Sequence, residues 1–469
     1  MYKYYFTTDK RRGSLSFKDK GGYRMKILLI NSSFGKRYDS RKTVTLAMYY
    51  LGAILRDKGH TIHIINPDDY IDGMVGESLA SVIIEKFKDF DLFAFSSNTF
   101  TWGYVKKCIS TLKVNNIKNP IVVGGIHPSR VFNHIMQTTD IDYILIGEGD
   151  KSFPILVETL ERKKNLSEVP NLVYRNDKGD IMINSFMDKM TFDKNTLYSA
   201  YDLIPENIYE TISIETSRGC SGNCSFCSIL NKRCWRGFNS DEAVKRIIGI
   251  EKYMRDKILR KSIIFTDDHF FEDKVRAIEI LTKLSVTNIK SYSFLVEAKL
   301  KVLLDDNVLS AIKKFPGISV QVGVESGYDE GLKRIKKGIK KEQIFQVAEK
   351  ILKYQLNTNI FFSFIIGFPW ETKKDIFKTI ETVGFIAMKY NIIVNLVWWL
   401  PLPSPEFDAL RKMNPDIGFD IFDNVEWNYD ERIFEMSHPL LTKKDIIEIN
   451  EIIAAYAEVG YDLIIREKK

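Results

Sequence analysis

Short β-branched runs alternate with helical stretches from Met25 to about Pro401, which predicts an α/β protein built as two successive parallel-sheet modules. Two further observations support this. At 469 residues the chain exceeds one ordinary domain, so two to three domains are expected. The second series also opens on a short strand, TISIET, followed at once by a loop carrying Cys220, Cys224 and Cys227, and α/β barrels place their chemistry after strands in this way.

Composition narrows the class. The 45% of hydrophobic residues are ample for buried cores. The net charge, 68 − 61 = +7, is spread along the chain and gives no indication of nucleic acid. Five cysteines, three of them clustered, fit a reducing cytoplasm better than a disulfide framework. No apolar run reaches the length of a membrane span. Residues 1–24 are polar and basic without the apolar centre of a signal peptide, and are expected to form an extension.

The first module covers residues 25–165. KILLINSS, HTIHIINP, DLFAFSS, PIVVGG and DYILIGEG supply five strands, and TLAMYYLGAILRDKG a helix that Gly59 would cap. Five strands with intervening helices suggest a flavodoxin-like doubly wound domain, whose ligands lie beyond the carboxyl ends of the strands. Ser96, Ser97, Asn98 and Thr99 follow the third strand, Gly124, Gly125 and His127 the fourth, and Gly147, Glu148 and Gly149 the fifth. Singly each group reads as turn chemistry. Together GGIHPS and GEGDKSF resemble the cobalamin-binding domain found in front of many radical S-adenosylmethionine enzymes, which implies that these residues contact cobalamin. The DxHxxG motif, whose histidine ligates cobalt in methionine-synthase-like domains, does not occur, so the resemblance implies no protein histidine on the metal. His127 is then expected to line the nucleotide-tail loop or to cap a helix beginning near Pro128. Trp102 and Phe100 pack under the corrin ring or in the core. Residues 166–210 read as a linker containing a hairpin that turns at Asp177, Lys178 and Gly179.

Residues 211–400 form the second module. Three thiolates close together on a loop can hold a metal, and soft thiolates favour zinc or an iron–sulfur cluster. Three leave one iron of a 4Fe-4S cluster open, because ferredoxins supply four. Cys234, seven residues after Cys227, could instead complete a structural zinc site, although such sites pair their cysteines at C-x2-C spacing. The CxxxCxxC loop with Phe226 before its third cysteine is similar to the signature of the radical S-adenosylmethionine superfamily. The resemblance implies that Cys220, Cys224 and Cys227 bind a 4Fe-4S cluster whose open iron is chelated by S-adenosylmethionine, the source of a 5′-deoxyadenosyl radical.

After the loop come the strands KSIIFTDDHF, SYSFLVEAK, ISVQVGVES, TNIFFSFIIGFP and IIVNLVWWLP, separated by helices such as that in which Ile376, Ile380 and Val383 fall at i, i+4 and i+7. With TISIET this makes six strands, a partial (β/α)6 barrel. By resemblance, Asp267 and Asp268 meet the amino group of S-adenosylmethionine, Glu325 and Ser326 its ribose, Arg334 or Lys337 its carboxylate, and Gly367 its adenine, with Phe226 beside the cluster. Glu297 ends the third strand. Each carboxylate alone reads as a surface or capping residue; their recurrence at strand ends favours the site. Cys108 and Cys234 read as small buried hydrophobes. Arg236 resembles a basic position that follows the cluster in relatives.

Residues 401–469 form a mainly helical region expected to cap the barrel mouth over the substrate. His438 there reads as a structural histidine or a substrate contact. The two resemblances together imply a cobalamin-dependent radical S-adenosylmethionine enzyme, foremost a methyltransferase acting on an unactivated carbon or phosphorus centre. An alternative keeps both cofactors and ends in oxidation or ring formation. From a different class, a non-catalytic cobalamin-binding sensor is the rival. A tRNA methylthiotransferase would need more cluster cysteines in the first module, which offers only Cys108. The expected partners are a small-molecule, peptide or lipid substrate and an external electron donor, flavodoxin or ferredoxin.

Overall fold

The structure, a computed structural model, describes residues 24–31, 46–66, 75–186, 200–204, 209–257, 262–423 and 438–458. The expected extension lies outside them apart from Arg24. The first sheet takes its parallel strands from β1 (Lys26–Ile30), β2 (Thr61–Ile65), β3 (Leu92–Ser96), β4 (Ile121–Gly124) and β5 (Tyr143–Leu145). Their order, 2-1-3-4-5, is the flavodoxin-like one. β1 reads KILLI and is buried from Ile27 onward, because helices cover both faces of a parallel sheet. Those helices are α1 (Leu46–Asp57), α2 (Glu77–Phe87), α3 (Trp102–Val114), α4 (Ile126–Thr138) and α5 (Gly149–Glu161).

The hairpin assigned to a linker belongs instead to this sheet. Its strands, β6 (Leu172–Arg175) and β7 (Ile181–Ile183), add antiparallel to β5 and bring the sheet to seven strands. Joining the ladder satisfies the backbone groups that β5 would otherwise leave open as an edge.

The second sheet is entirely parallel, in the order β15-β14-β13-β12-β11-β8. Its strands are β8 (Ile212–Ile214), β11 (Ser262–Phe265), β12 (Ser293–Lys299), β13 (Ile318–Glu325), β14 (Ile360–Ile366) and β15 (Val394–Trp398). The connecting helices are α6 (Ser240–Lys257), α7 (Lys274–Leu284), α8 (Asp306–Lys314), α9 (Asp329–Arg334), α10 (Lys341–Tyr354) and α11 (Lys373–Tyr390). Thr372 and Asp375 form a capping box at the start of α11, and Ile376, Ile380 and Val383 are buried on one face as their spacing predicts. Register aligns Glu297 with Gln321 and Phe361, and Gly323 with Ser363 and Asn395. These residues line the inside of the partial barrel, while the alternate Val296, Val320, Val322 and Phe362 are fully buried against the helices. Leu46, Tyr49, Tyr50 and Ala53 of α1 join the barrel core, and Ile335, Phe368 and Trp399 join a core of the first sheet, so the two modules are packed together by apolar contacts.

Two further helices follow, α12 (Pro405–Met413), with Ser404 as its N-cap, and α13 (Lys443–Glu458). Of the region expected to cap the barrel, α13 packs on the barrel through Ile446, Ile449 and Ile453, and the segment around α12 also reaches the first sheet. Phe407, Leu410, Ile417 and Phe422 enter the core beneath α3 and α4 of the first sheet, because that apolar face has no other cover. Asp423 fixes the end of this stretch by accepting from Trp102 Nε1 at 2.8 Å and pairing with Lys106 at 2.7 Å and His134 at 3.0 Å. The acidic and aromatic residues 424–437 lie outside the described residues. No helix among the described residues is long and apolar enough to cross a membrane.

Candidate cluster and cobalamin sites

The cysteine loop is an excursion clasped at its base. Two short strands, β9 (Ser217–Arg218) and β10 (Arg236–Gly237), pair antiparallel and bring its ends together. All three thiols are free and half-buried. Burial pushes the Cys224 and Cys227 thiols up, and the charges of Lys337 beside Cys224 and Lys232 beside Cys227 oppose it. Lys232 also donates to the Cys224 carbonyl at 2.9 Å. Phe226 projects between the cysteines to 5.9 Å from the Phe368 ring. A soft three-thiolate set with lysine charge beside it fits a sulfur cluster that takes each thiolate on a different iron. Among the described residues no three His, Cys, Asp or Glu side chains converge on a point that a single ion would fill, and such a cluster does not require it. Cys234 is half-buried in the same loop, and Cys108 is fully buried in α3.

The strand ends hold this loop in place. Asp267, buried at the end of β11, accepts from Thr216 N at 2.7 Å, Thr216 Oγ1 at 2.6 Å and Ser217 Oγ at 2.5 Å. Its carboxyl is spent on β9, the strand entering the loop. Asp268 accepts from Gly219 N at 2.7 Å. Burial raises both acids, against those hydrogen bonds. Glu325 sits at a bulge in β13 with a left-handed φ of +75° and pairs with Lys337 at 3.0 Å. Ser326 is fully buried, with a hydroxyl that has no hydrogen-bond partner. Arg334 is exposed and lays its guanidinium 4.4 Å over the Trp370 ring. Gly367 has φ +77°, and its Cα lies so near the Trp398 ring that a Cβ would collide with it. Its N–H and that of Phe368 donate to Glu371 at 2.8 and 3.0 Å. Glu297 lies on the inner side of β12 and is open to solvent; the surrounding protein, then Glu325 and Asp268, raise its carboxyl. His438 serves structure: its Nε2 bonds the Phe368 carbonyl at 2.9 Å.

At the carboxyl ends of β3, β4 and β5 lies a cavity of about 220 Å³. Ser96, Gly124, Gly125, Gly147, Glu148 and Gly149 line it from the strands, and Met48 and Leu51 from α1. Gly147 has φ +78°, and a Cβ there would stand in open space, so a ligand can reach the backbone. This largely apolar slot with a glycine rim fits the flat tail of a cobalamin. The other predicted residues are not brought to it. Asn98 Oδ1 closes a turn on Phe100 N and Thr101 N, Ser97 Oγ lies 3.3 Å from Thr101 Oγ1, and Thr99 bonds His127 at 3.2 Å. His127 is buried in α4, stacked on Trp102 at 5.3 Å with Phe422 at its edge, and burial pushes it down to about 3. Trp102 is likewise core.

A polar network joins the cavity to the cysteine loop, and sequence reasoning missed most of it. Arg218, two residues before Cys220, lines the cavity and bonds Asp150 at 2.9 and 3.1 Å and Glu215 at 2.7 Å. Glu148 accepts from Asn231 at 2.7 Å and from Arg236. Burial, offset in part by Arg218, leaves Glu215 at about 7. Arg130 of α4 reaches the Ser228 carbonyl at 3.0 Å and the Ile229 carbonyl at 2.5 Å, just past Cys227. On the far side, Glu406 of α12 accepts from Ser225 Oγ at 2.6 Å and Trp370 Nε1 at 2.8 Å. Asp150 stands within the GEGDKSF run and Arg218 within SRGC, but nothing local signals partners 68 residues apart.

Comparisons with known proteins agree with this arrangement. Residues 41–157 match the B12 binding domain and residues 214–383 the radical SAM superfamily, in that order. The chain is 29% identical over 379 residues to an uncharacterised methyltransferase of Pyrococcus horikoshii, covering 78% of this chain and 79% of that protein. It is 26% identical over 290 residues to the hopanoid C-3 methylase of Methylococcus capsulatus, covering 61% and 53%. Among solved structures, the cobalamin-dependent radical enzyme OxsB with aqua-cobalamin and S-adenosylmethionine superposes with a TM-score of 0.68 at 16% identity over 93% of this chain and 67% of that one. In the OxsB structure with aqua-cobalamin alone, the chain spans about half, 52%, of the matched chain. The methyltransferase TsrM of Kitasatospora setae, with cobalamin and a [4Fe-4S] cluster, gives 0.65 at 14% identity over 83% and 75%. At these identities the structures speak for the fold.

Proposed function

This chain belongs to the cobalamin-dependent radical S-adenosylmethionine enzymes, and from that premise we propose that it is a methyltransferase acting on an unactivated carbon, or a phosphorus, of a small metabolite, peptide or lipid. The observation that carries the reading is Arg218, which lines the glycine-rimmed cavity while standing two residues from Cys220. One side chain thus forms a wall of the cobalamin slot and the root of the cluster loop, so the two cofactors are held in fixed relation. When bound, the cluster with S-adenosylmethionine supplies hydrogen-atom abstraction, and cobalamin supplies the methyl donor.

The chain's own residues bind, orient and exclude water. Cys220, Cys224 and Cys227 would hold the cluster, while Asp267 and Asp268 fix the loop's entry through Thr216, Ser217 and Gly219. Lys337, ion-paired with Glu325 beside the thiols, and Arg334 offer positive charge to a cosubstrate carboxylate. Gly367, packed directly on the Trp398 ring, keeps the backbone at the end of β14 free of a side chain, and the hydroxyl of Ser326 offers a buried hydrogen bond. Glu297, Gln321, Ser363 and Asn395 line the space left for substrate. On this reading residues 25–165 hold cobalamin, 211–400 hold the cluster and S-adenosylmethionine, and the region from 401 encloses the substrate. The neighbouring Pyrococcus methyltransferase and hopanoid C-3 methylase support methyl transfer as the outcome.

The test uses anaerobically purified, iron- and sulfide-reconstituted protein supplied with hydroxocobalamin and S-adenosylmethionine carrying a deuterated methyl group. Expected are near-stoichiometric cobalamin by absorption and label in a product of the host metabolite pool. A C220A/C224A/C227A variant should keep cobalamin and lose the cluster. Failure of the wild-type protein to retain cobalamin would overturn the reading.

A further inference from the structure

We propose that the exposed basic face beside the cysteine loop, centred on Lys333, Lys336 and Arg233, is the docking surface for an acidic one-electron carrier protein. The inference rests on the reading above in one respect only, that a cluster on these cysteines must receive electrons.

The face is built by two segments that touch. Ser225, between the second and third cysteines, donates its N–H to the Ile335 carbonyl at 3.1 Å, so the stretch after α9 lies directly on the loop. Residues 329–341 carry six cations against two carboxylates, a local 6 − 2 = +4 in a chain whose total is +7. Lys336 takes a left-handed φ of +56°, which turns its exposed side chain outward, and its charge is felt at Lys232, the residue whose ammonium rests on the Cys224 carbonyl. Arg233 follows, also left-handed at φ +60° and exposed.

Among the described residues Lys333, Lys336 and Arg233 have no acidic partner. Several lysines elsewhere on the surface do, as where Lys107 pairs with Glu77, Lys274 with Asp305, Lys283 with Asp241 and Lys350 with Asp306; what sets this face apart is that its unpaired cations gather around one loop. A cluster of unpaired like charges costs self-repulsion, and a partner of opposite charge relieves it while steering the encounter. The position selects the class of partner. The face adjoins the loop that carries the half-buried thiols, so a carrier docked there stands beside the group it would reduce. In the step itself one electron leaves the carrier and enters the cluster, with no bond made or broken.

The experiment compares reconstituted wild-type holoprotein with K333E/K336E, residues that take no part in holding either cofactor. The probe is a bacterial flavodoxin, an acidic flavin carrier. The readouts are its Kd and the rate of 5′-deoxyadenosine release, driven either by reduced flavodoxin or by the small cation reduced methyl viologen. Expected is a tenfold or greater rise in flavodoxin Kd with a matching loss of flavodoxin-driven release, while viologen-driven release and iron content stay within twofold. Wild-type affinity should also fall steeply as salt is raised, a measurement that stands even if the variant folds poorly. Unchanged flavodoxin affinity in the variant, or salt-independent binding by the wild type, overturns the proposal. If viologen drives no release from the wild type, the failure belongs to the proposed function and not to this surface.

Discussion

Arg218 grips Asp150 with both terminal nitrogens, at 2.9 and 3.1 Å, and so ties the first turn of α5 in one module to the threshold of the cysteine loop in the other. Burial alone would raise the Asp150 carboxyl; the adjacent Arg218 charge and its two hydrogen bonds outweigh burial and hold it low. R218A leaves Asp150, Glu148 and Glu215 facing one another without that cation. Breaking a buried pair in this way costs about 3–5 kcal/mol. We expect a lower unfolding midpoint and weaker cobalamin retention, measured by thermal denaturation and by absorption after gel filtration. Unchanged retention would detach Arg218 from the cobalamin slot.

Asp267 is the anchor of the loop's entry. D267A strips partners from the Thr216 N–H and from two hydroxyls, at about 1–3 kcal/mol for each buried group left unsatisfied. Iron per chain after reconstitution should drop well below the wild-type value while far-ultraviolet circular dichroism is retained.

Glu371 gives a pH signature. Burial, opposed by hydrogen bonds from Phe368 N–H, Tyr328 and Gly367 N–H, raises its carboxyl from 4.5 to about 7. Between those values the native chain keeps a proton that the unfolded chain has released. Its contribution to stability is therefore complete below 4.5 and lost as pH rises through about 7. E371Q should flatten that decline, with a smaller fall in unfolding midpoint between about pH 5 and 8 than the wild type shows.

Gly367 tests the floor of the site. G367A forces a β-carbon into the Trp398 ring at a φ of +77°. A loss of about 1–3 kcal/mol is expected from overpacking and strain together, read by chemical denaturation with tryptophan fluorescence reporting the displaced ring.

Much of the fold was legible because its signals are local. The strand runs, the helix period at Ile376, Ile380 and Val383, and the cysteine spacing are each contained within a few residues. The glycines at the ends of β4 and β5 announced their cavity for the same reason. What stayed illegible depends on distant pairing. The 172–183 hairpin carries no mark of which sheet it joins. His127 looks like a loop residue beside two glycines, and only the fold sets it under Trp102 and Phe422. Asp267 was recognised as important from its place at a strand end, but its partners are Thr216 and Ser217, 51 and 50 residues earlier. Glu406, which steadies Ser225 from 181 residues away, left no trace.

The clasp of β9 and β10 has an engineering consequence. Entry and exit of the cysteine loop are hydrogen-bonded neighbours, Ser217 with Gly237 and Arg218 with Arg236, so the excursion has the closed ends of a cassette. Residues 217–237 can therefore be exchanged between homologous scaffolds as one part only where the recipient offers carboxylates in place of Asp150, Glu148, Asp267, Asp268 and Glu406 and a cation in place of Arg130.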